Sequence, residues 1–212
     1  MVIIFDYDGT IADTIGLFLK YVSQNLSEIN NVDKLESDVN EIRNRSIREN
    51  LAYYKISWLK FLWLYFLNKK KIEDYVVNAK IFEGMREVFQ ELQNEGHSQF
   101  ILTSHSGKKV QSFLERNNLN YFKVVYSSSR IFSKHSLLEK LLAENNLTKE
   151  ECLYVGDEVR DIQACKKTGV KIISVTWGFN SNDFLKKYDP DFLANTPADI
   201  LQIVQQINIS RA

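Results

Sequence analysis

Short apolar runs recur along the chain, and most are followed by a stretch with helical spacing. Val2 to Phe5 reads "VIIF"; "SQFILTS" precedes "KKVQSFLERNNL", and "YFKVVYSSS" precedes "SLLEKLLAENNL". "ECLYVGD" then leads into "VRDIQACKKTG", and "VKIISVTWG" closes the series. An apolar run of strand length followed by an amphipathic helix marks a βα unit, and repeated units build a parallel sheet. Punctuation by Gly and Pro is uneven, with neither present from Leu17 to Glu83. That span reads as several helices joined by Asn- and Asp-bearing turns such as "NNVD", Asn30 to Asp33. We therefore expect an α/β protein with a discontinuous three-layer Rossmann-like core and a parallel sheet, residues 1–12 and 81–212. An all-helical cap domain is expected as an insertion at 13–80. In open α/β sheets ligands sit beyond the carboxyl ends of the strands, so an insertion leaving there is placed to cover a site.

One stretch departs from the pattern. Tyr53 to Phe66, "YYKISWLKFLWLYF", holds seven aromatics in fourteen residues and is followed by Lys69, Lys70 and Lys71. A transmembrane helix needs roughly 20 apolar residues, and Lys60 interrupts this run, so no membrane span is expected. The simplest expectation is a buried helix; the alternatives are a substrate pocket, a membrane-surface contact or a homodimer face.

Charge and cysteine content narrow the function further. Acids and bases balance at 27 each, which removes the basic field that a nucleic-acid binder uses. Cys152 and Cys165 lack metal-ligand spacing and read as small core residues of a reducing compartment. Asp6 and Asp8 interrupt what would be the apolar part of a signal peptide, so the expected location is the cytoplasm.

Candidate chemistry collects at the expected strand ends. The first run ends in Asp6 and Asp8, and the second in Thr103 and Ser104. The loop after the third reaches Lys134, while the fourth is followed by Gly156, Asp157, Glu158 and Asp161. Taken singly, most have ordinary structural explanations. Asp8-Gly9 is a turn dipeptide, Thr103 and Ser104 suit a helix cap, and Asp157 and Asp161 complement a helix start. Asp6 is different, because a charge ending an apolar strand is costly without a partner. Four polar clusters converging on one crevice offer carboxylates, a hydroxyl and a lysine. That set suits a divalent cation and a phosphate, and hard carboxylate oxygens suit Mg²⁺.

These segments resemble the motifs of the haloacid dehalogenase superfamily of phosphohydrolases. "FDYDGTIAD" is similar to its DxDGT motif, "FILTS" to the strand ending in Thr or Ser, Lys134 in "RIFSKHSLLEKLL" to its lysine motif, and "YVGDEVRD" to GDxxxD. The likeness is strongest to phosphoglycolate-phosphatase-like members with a helical cap. It implies a Mg²⁺-dependent phosphatase hydrolysing a small phosphorylated metabolite through an aspartyl-phosphate. Asp6 would be the nucleophile and Asp8 the acid and base. Asp6, Asp157 and the backbone carbonyl of Asp8 would hold the metal, and Lys134 and Thr103 (or Ser104) would hold the phosphate. Gly9 and Thr10 support the turn, and Asp161 orients Lys134 or a metal-bound water. Glu158 reads as a solvated acid at a helix start, Asp13 as a helix cap, and His105 and His135 as bystanders.

Asp8 argues against dehalogenation, since a halide leaves without a proton. Two alternatives stay open: a phosphosugar mutase of the same superfamily, and a non-catalytic member binding a phosphometabolite or a protein.

Overall fold

A computed structural model describes residues 1–17, 19, 38–127 and 134–210. Its centre is β1 (Val2–Asp6), buried along its whole length. Strands covered on both faces need apolar side chains on both, which is why they read as unbroken runs. Six parallel strands lie in the order β5–β4–β1–β6–β7–β8, where β4 is Ser98–Thr103, β5 Phe122–Ser127 and β6 Cys152–Gly156. The remaining two are β7 (Lys171–Val175) and β8 (Phe192–Ala194). Alternation along β1 sends Ile3 and Phe5 to one face, and Val2 and Ile4 to the other.

Helices fill both faces. Against the first pack α4 (Met85–Asn94), α5 (Gly107–Arg116) and α9 (Pro197–Ile209), through residues such as Phe89, Phe113 and Val204. Against the second pack α6 (Lys134–Glu144), α7 (Val159–Thr168) and α8 (Asn182–Lys186), through Leu138, Ile162 and Leu185. This is the expected three-layer α/β architecture. The three expected strand–helix pairs are present, and the runs at Val2 and Lys171 form β1 and β7, with Ser128 and Ser129 of the third run outside the described residues. The β8–α9 unit lies beyond the series read from sequence.

Two short strands, β2 (Ala12–Asp13) and β3 (Lys80–Ile81), pair antiparallel between the first and second core strands. Between them the described elements are helices: α1 (Val39–Arg43), α2 (Ile47–Tyr53) and α3 (Trp58–Asn78). They share a small cluster in which Leu19, Ile42 and Tyr54 are packed by Leu64 and Phe179. The turn expected at Asn30–Asp33 lies outside the described residues. Asp13 is an exposed residue of β2 opposite Lys80. Helical backbone resumes at residue 15, so Thr14 stands where Asp13 was expected to cap.

The aromatic segment is corrected more substantially. It spans two helices, because the chain breaks after Tyr53 and passes through Lys55 at φ 54°. Within α3, Leu64 faces the small cluster, whereas Leu59, Trp63, Phe66 and Leu67 point to solvent. The helices around it bury only one stripe of α3, so a wholly buried helix is not what forms. The described helices include none long and apolar enough to cross a membrane.

The two environments predict opposite outcomes for the same substitution. Leu102→Ala, at a fully buried position of β4, is expected to cost about 2–5 kcal/mol in urea unfolding. Leu59→Ala should stay within about 0.5 kcal/mol of the parent, as exposed positions do.

Candidate active site

The strand order reverses at β1. The chain crosses to β4 and β5 on one side, then returns to β6, β7 and β8 on the other. The crevice at such a switch point lies beyond the carboxyl ends of β1, β4 and β6. Asp6 ends β1 on the side of Val2 and Ile4, the face covered by α6. Its Oδ2 accepts from Lys134 Nζ at 2.5 Å, and its Oδ1 accepts from the Tyr7 N–H at 2.8 Å. Lys134 is the first residue of α6 and is buried, contrary to the behaviour of an ordinary lysine. It also donates to Asp161, whose other oxygen accepts from the Glu158 N–H at 3.0 Å and so caps α7.

Asp157, just past β6, is almost wholly buried. Thr10 Oγ1 donates to it at 3.1 Å, and the Phe179 N–H donates to it at 2.6 Å. Carboxylate oxygens of Asp6, Asp157 and Asp161 lie within 4.8 Å of one another. Three buried, hard oxygen donors at that separation fit a divalent metal ion. The grouping contains the expected Asp6 and Asp157, and it adds Asp161.

Two glycines make this closeness feasible. Gly9 has φ +65°, and a Cβ there would collide with the Asp157 carboxylate. Gly178 was not singled out from sequence, yet a Cβ on it would strike both Asp157 and the Gly9 carbonyl. No short motif marks Gly178, because its neighbours meet it only in the folded chain.

Asp8, read from sequence with Asp6 at the end of the first run, lies beyond the strand. The strand ends at Asp6, and residues 7–12 form a turn closed by Ile11 N–H to Tyr7 O at 3.0 Å and Gly9 N–H to Ala12 O at 2.9 Å. Period-two alternation therefore does not set the direction of Asp8. Its carboxylate instead meets His105 Nε2 at 2.8 Å and accepts from the Thr14 hydroxyl. His105 is buried and its backbone N–H donates to Thr103 Oγ1 at 3.1 Å, so it is part of the site rather than a bystander. Thr103 is buried at the end of β4 and Ser104 half-buried beside it. Glu158 is buried and paired with Arg160, so burial and an ion pair replace the solvated acid expected there. His135 is turned to Ser136, with Nε2 3.2 Å from its hydroxyl.

Electrostatics follow from packing several acids into a buried crevice. Burial raises the Asp6 carboxyl from 3.8 to about 7, against the pull of Lys134 and with a further push from Asp161 and Asp8. Burial, then Glu158 and Asp6, lift Asp157 well above its ordinary range. Burial works against the Lys134 ammonium, but Asp161 and Asp6 outweigh it and hold it well above its usual value. For Asp8 burial pushes upward, and the His105 ring prevails and holds the carboxyl low. Burial also opposes the charged form of Glu158, and Arg160 overcomes it.

A cation-ready carboxylate cluster beside a buried lysine, at the switch point of a parallel sheet, is the equipment of metal-assisted phosphoryl transfer. The family model for haloacid dehalogenase-like hydrolases matches residues 3–175. A phosphoglycolate phosphatase of Synechococcus elongatus is 30% identical, with 97% of each chain covered. The pyrophosphatase PpaX of Bacillus mycoides is 26% identical, again over 97% of each chain. Among solved structures, a haloacid dehalogenase-like family hydrolase from Streptococcus pneumoniae superimposes with a TM-score of 0.76 at 20% identity. That match covers 96% of this chain and 97% of the other, and it speaks for the fold alone. The chain belongs to the haloacid dehalogenase-like hydrolase family, and it is a phosphatase of that family.

The raised acids predict how the metal-free protein behaves with pH. A carboxyl whose folded pKa exceeds its unfolded one stabilises the fold fully below about 4 and loses that contribution as pH rises through the folded value. For Asp6 the window runs from 3.8 to about 7, and Asp157 acts in the same sense. Asp8 and Glu158, held low, contribute instead above the ordinary carboxyl range and lose that contribution only in stronger acid. Protein kept in chelator should melt at progressively lower temperature as pH rises from about 4 to about 7. A divalent ion at about 100 times its Kd should add about 2.7 kcal/mol at pH 8, or roughly 5–10 °C for a chain of this size. Differential scanning calorimetry with and without metal measures both.

Proposed function

We propose that this phosphatase is Mg²⁺-dependent, acts on a small phosphate monoester resembling phosphoglycolate, and works through an aspartyl-phosphate on Asp6. The observation that carries the reading is Asp6 Oδ2 at 2.5 Å from the buried Lys134, inside the Asp6–Asp157–Asp161 cluster. An apolar strand ending in an acid so arranged has a nucleophile aimed at the crevice and a cation beside it to receive the phosphate charge. The phosphoglycolate phosphatase relative supports the substrate class, and the pyrophosphatase relative supplies a second compound to test.

In this scheme an Asp6 carboxylate oxygen bonds to phosphorus as the bond to the leaving alcohol oxygen breaks. Asp8, with the proton of the Asp8–His105 pair on its carboxyl, protonates that oxygen and then takes a proton from the water that attacks the aspartyl-phosphate. Inorganic phosphate leaves, and Asp6 returns as a carboxylate. His105 and Thr14 act as positioning residues, since both hold the Asp8 carboxyl. Thr103, or Ser104 next to it, binds a phosphate oxygen, and Asp161 fixes Lys134 for the same purpose. Mg²⁺, held by Asp6, Asp157 and the Asp8 backbone carbonyl, would neutralise phosphate charge and so let one anion approach another.

We read residues 13–80 as a cap that supplies substrate specificity. The paired β2 and β3 form its two-stranded stem, and the small Leu19–Ile42–Tyr54 cluster lies at its contact with the core loop. Arg43 Nη2 donates to Thr176 O at 2.6 Å, while Asn180 Nδ2 donates to Arg45 O at 3.1 Å. A lid fastened beside Asp157 would exclude water and bulky esters. Cys152 and Cys165, both packed in the core as small apolar residues, support a reducing, cytoplasmic location.

Phosphate release from a panel including phosphoglycolate and pyrophosphate tests the reading. Release should require Mg²⁺ and vanish in Asp6→Asn for every substrate. Asp8→Asn should lower kcat by about 10²–10⁴-fold on alkyl phosphates. The first burst of p-nitrophenol from p-nitrophenyl phosphate should persist, since that leaving group departs without a proton, while steady turnover stays slow because Asp8 is also the base for the attacking water. Isomerised sugar phosphate in place of released phosphate would establish the mutase alternative instead.

A further inference from the structure

Outside the site, α3 carries an exposed apolar stripe. Leu59, Trp63, Phe66 and Leu67 are 79%, 62%, 59% and 65% exposed. Their spacing of i, i+4, i+7 and i+8 places them in one stripe along the helix. Nor is the helix detached: Leu64 packs on the small cluster, and the far end is tied to α5. Lys109 meets Asp74 at 2.7 Å, and Arg116 Nη1 donates to Asn78 Oδ1 at 2.5 Å. A helix fastened along one side with an aromatic and leucine stripe on the other has a face that the described residues leave uncovered.

Charge decides what suits that face. Lys55, Lys60, Lys69, Lys70 and Lys71 occupy residues 55–72, and no Asp or Glu occurs there, although the whole chain is balanced at 27 against 27. Lys60 and Lys70 are exposed on the helix that carries the stripe. Pairing two copies through this stripe would bring two lysine-only segments together, since the acids of the helix, Glu73 and Asp74, follow the stripe and Asp74 is engaged by Lys109. A nucleic acid would satisfy the lysines and leave Trp63 and Phe66 without an apolar phase. An anionic bilayer surface satisfies both, since an interfacial helix sinks its apolar face to the acyl boundary while its lysines reach the headgroups.

We propose that α3 docks this protein peripherally on anionic lipid surfaces through Leu59, Trp63, Phe66 and Leu67, with the flanking lysines giving the charge selectivity. The helix lies on the surface and does not span it, in keeping with Lys60 inside the run. The docking face is formed by α3 alone, so the inference stands apart from the catalytic reading above.

Flotation of the full chain with phosphatidylcholine vesicles, with and without about one-third phosphatidylglycerol, tests the proposal. We expect recovery with the anionic vesicles only, a blue shift of tryptophan emission on binding, and release at high salt. Trp63→Ala with Phe66→Ala should reduce binding at least tenfold. Lys60→Glu with Lys70→Glu, both at exposed positions, should do the same; circular dichroism melts of both double variants check folding. Equal binding to neutral and anionic vesicles would overturn the charge argument. No binding would overturn the proposal. A dimer in sedimentation velocity that Lys60→Glu with Lys70→Glu leaves intact, while lipid binding is absent, would assign the stripe to a second copy instead.

Discussion

Everything at the switch point depends on the placing of several carboxylates in a buried crevice. Asp6, Asp157 and Asp161 converge within 4.8 Å, and Lys134 is the cation that donates to two of them. Mutual repulsion and desolvation both favour protonation or a bound cation. The surrounding fold opposes dispersal of these acids. Strand β1 delivers Asp6, the cap of α7 holds Asp161, and the Phe179 N–H holds Asp157. The same constraint explains Gly9 and Gly178, where backbone must pass against Asp157 with no room for a side chain.

The loop after β7 joins this cluster to the helical insertion. Phe179 and Asn180 reach Asp157 through their backbone N–H groups, while the Asn180 side chain reaches the carbonyls of Arg43 and Arg45. Asn180 Oδ1 also accepts from the Val159 N–H at the start of α7. One buried amide therefore satisfies backbone groups of the core helix and of the insertion together. Burying it there is worthwhile only because its donors and acceptor are used. The Trp177 indole donates to Thr10 O at 3.3 Å and ties the same loop to the turn after β1. The acids, the turn and the insertion thus share one short stretch of backbone.

Much of this was legible beforehand. Parallel strands covered on both faces must be apolar throughout, so the runs at Val2, Phe100, Leu153 and Ile172 announced themselves. Motif spacing brought Asp6, Lys134 and Asp157 to one place, since strand ends in this topology converge. Partners that depend on rotamers and on turns escaped the pattern. His105 gave no local sign of meeting Asp8, nor did Thr14, because the turn over residues 7–12 re-aims Asp8 after the strand has ended. Glu158 looked solvated because its pairing with Arg160 is settled by burial rather than by composition.

The sequence by itself determined the layered α/β class, the strand series that converges on the site and the acids able to bind a metal there. Alternation and strand length follow from local side-chain chemistry, and Asp6 and Asp157 stand where their strands stop. The tertiary structure alone decided which side of α3 is covered, which hydroxyl and imidazole hold Asp8, and that Gly178 must lack a side chain. Those outcomes depend on distances between segments far apart in the chain, and no periodicity within one segment encodes them.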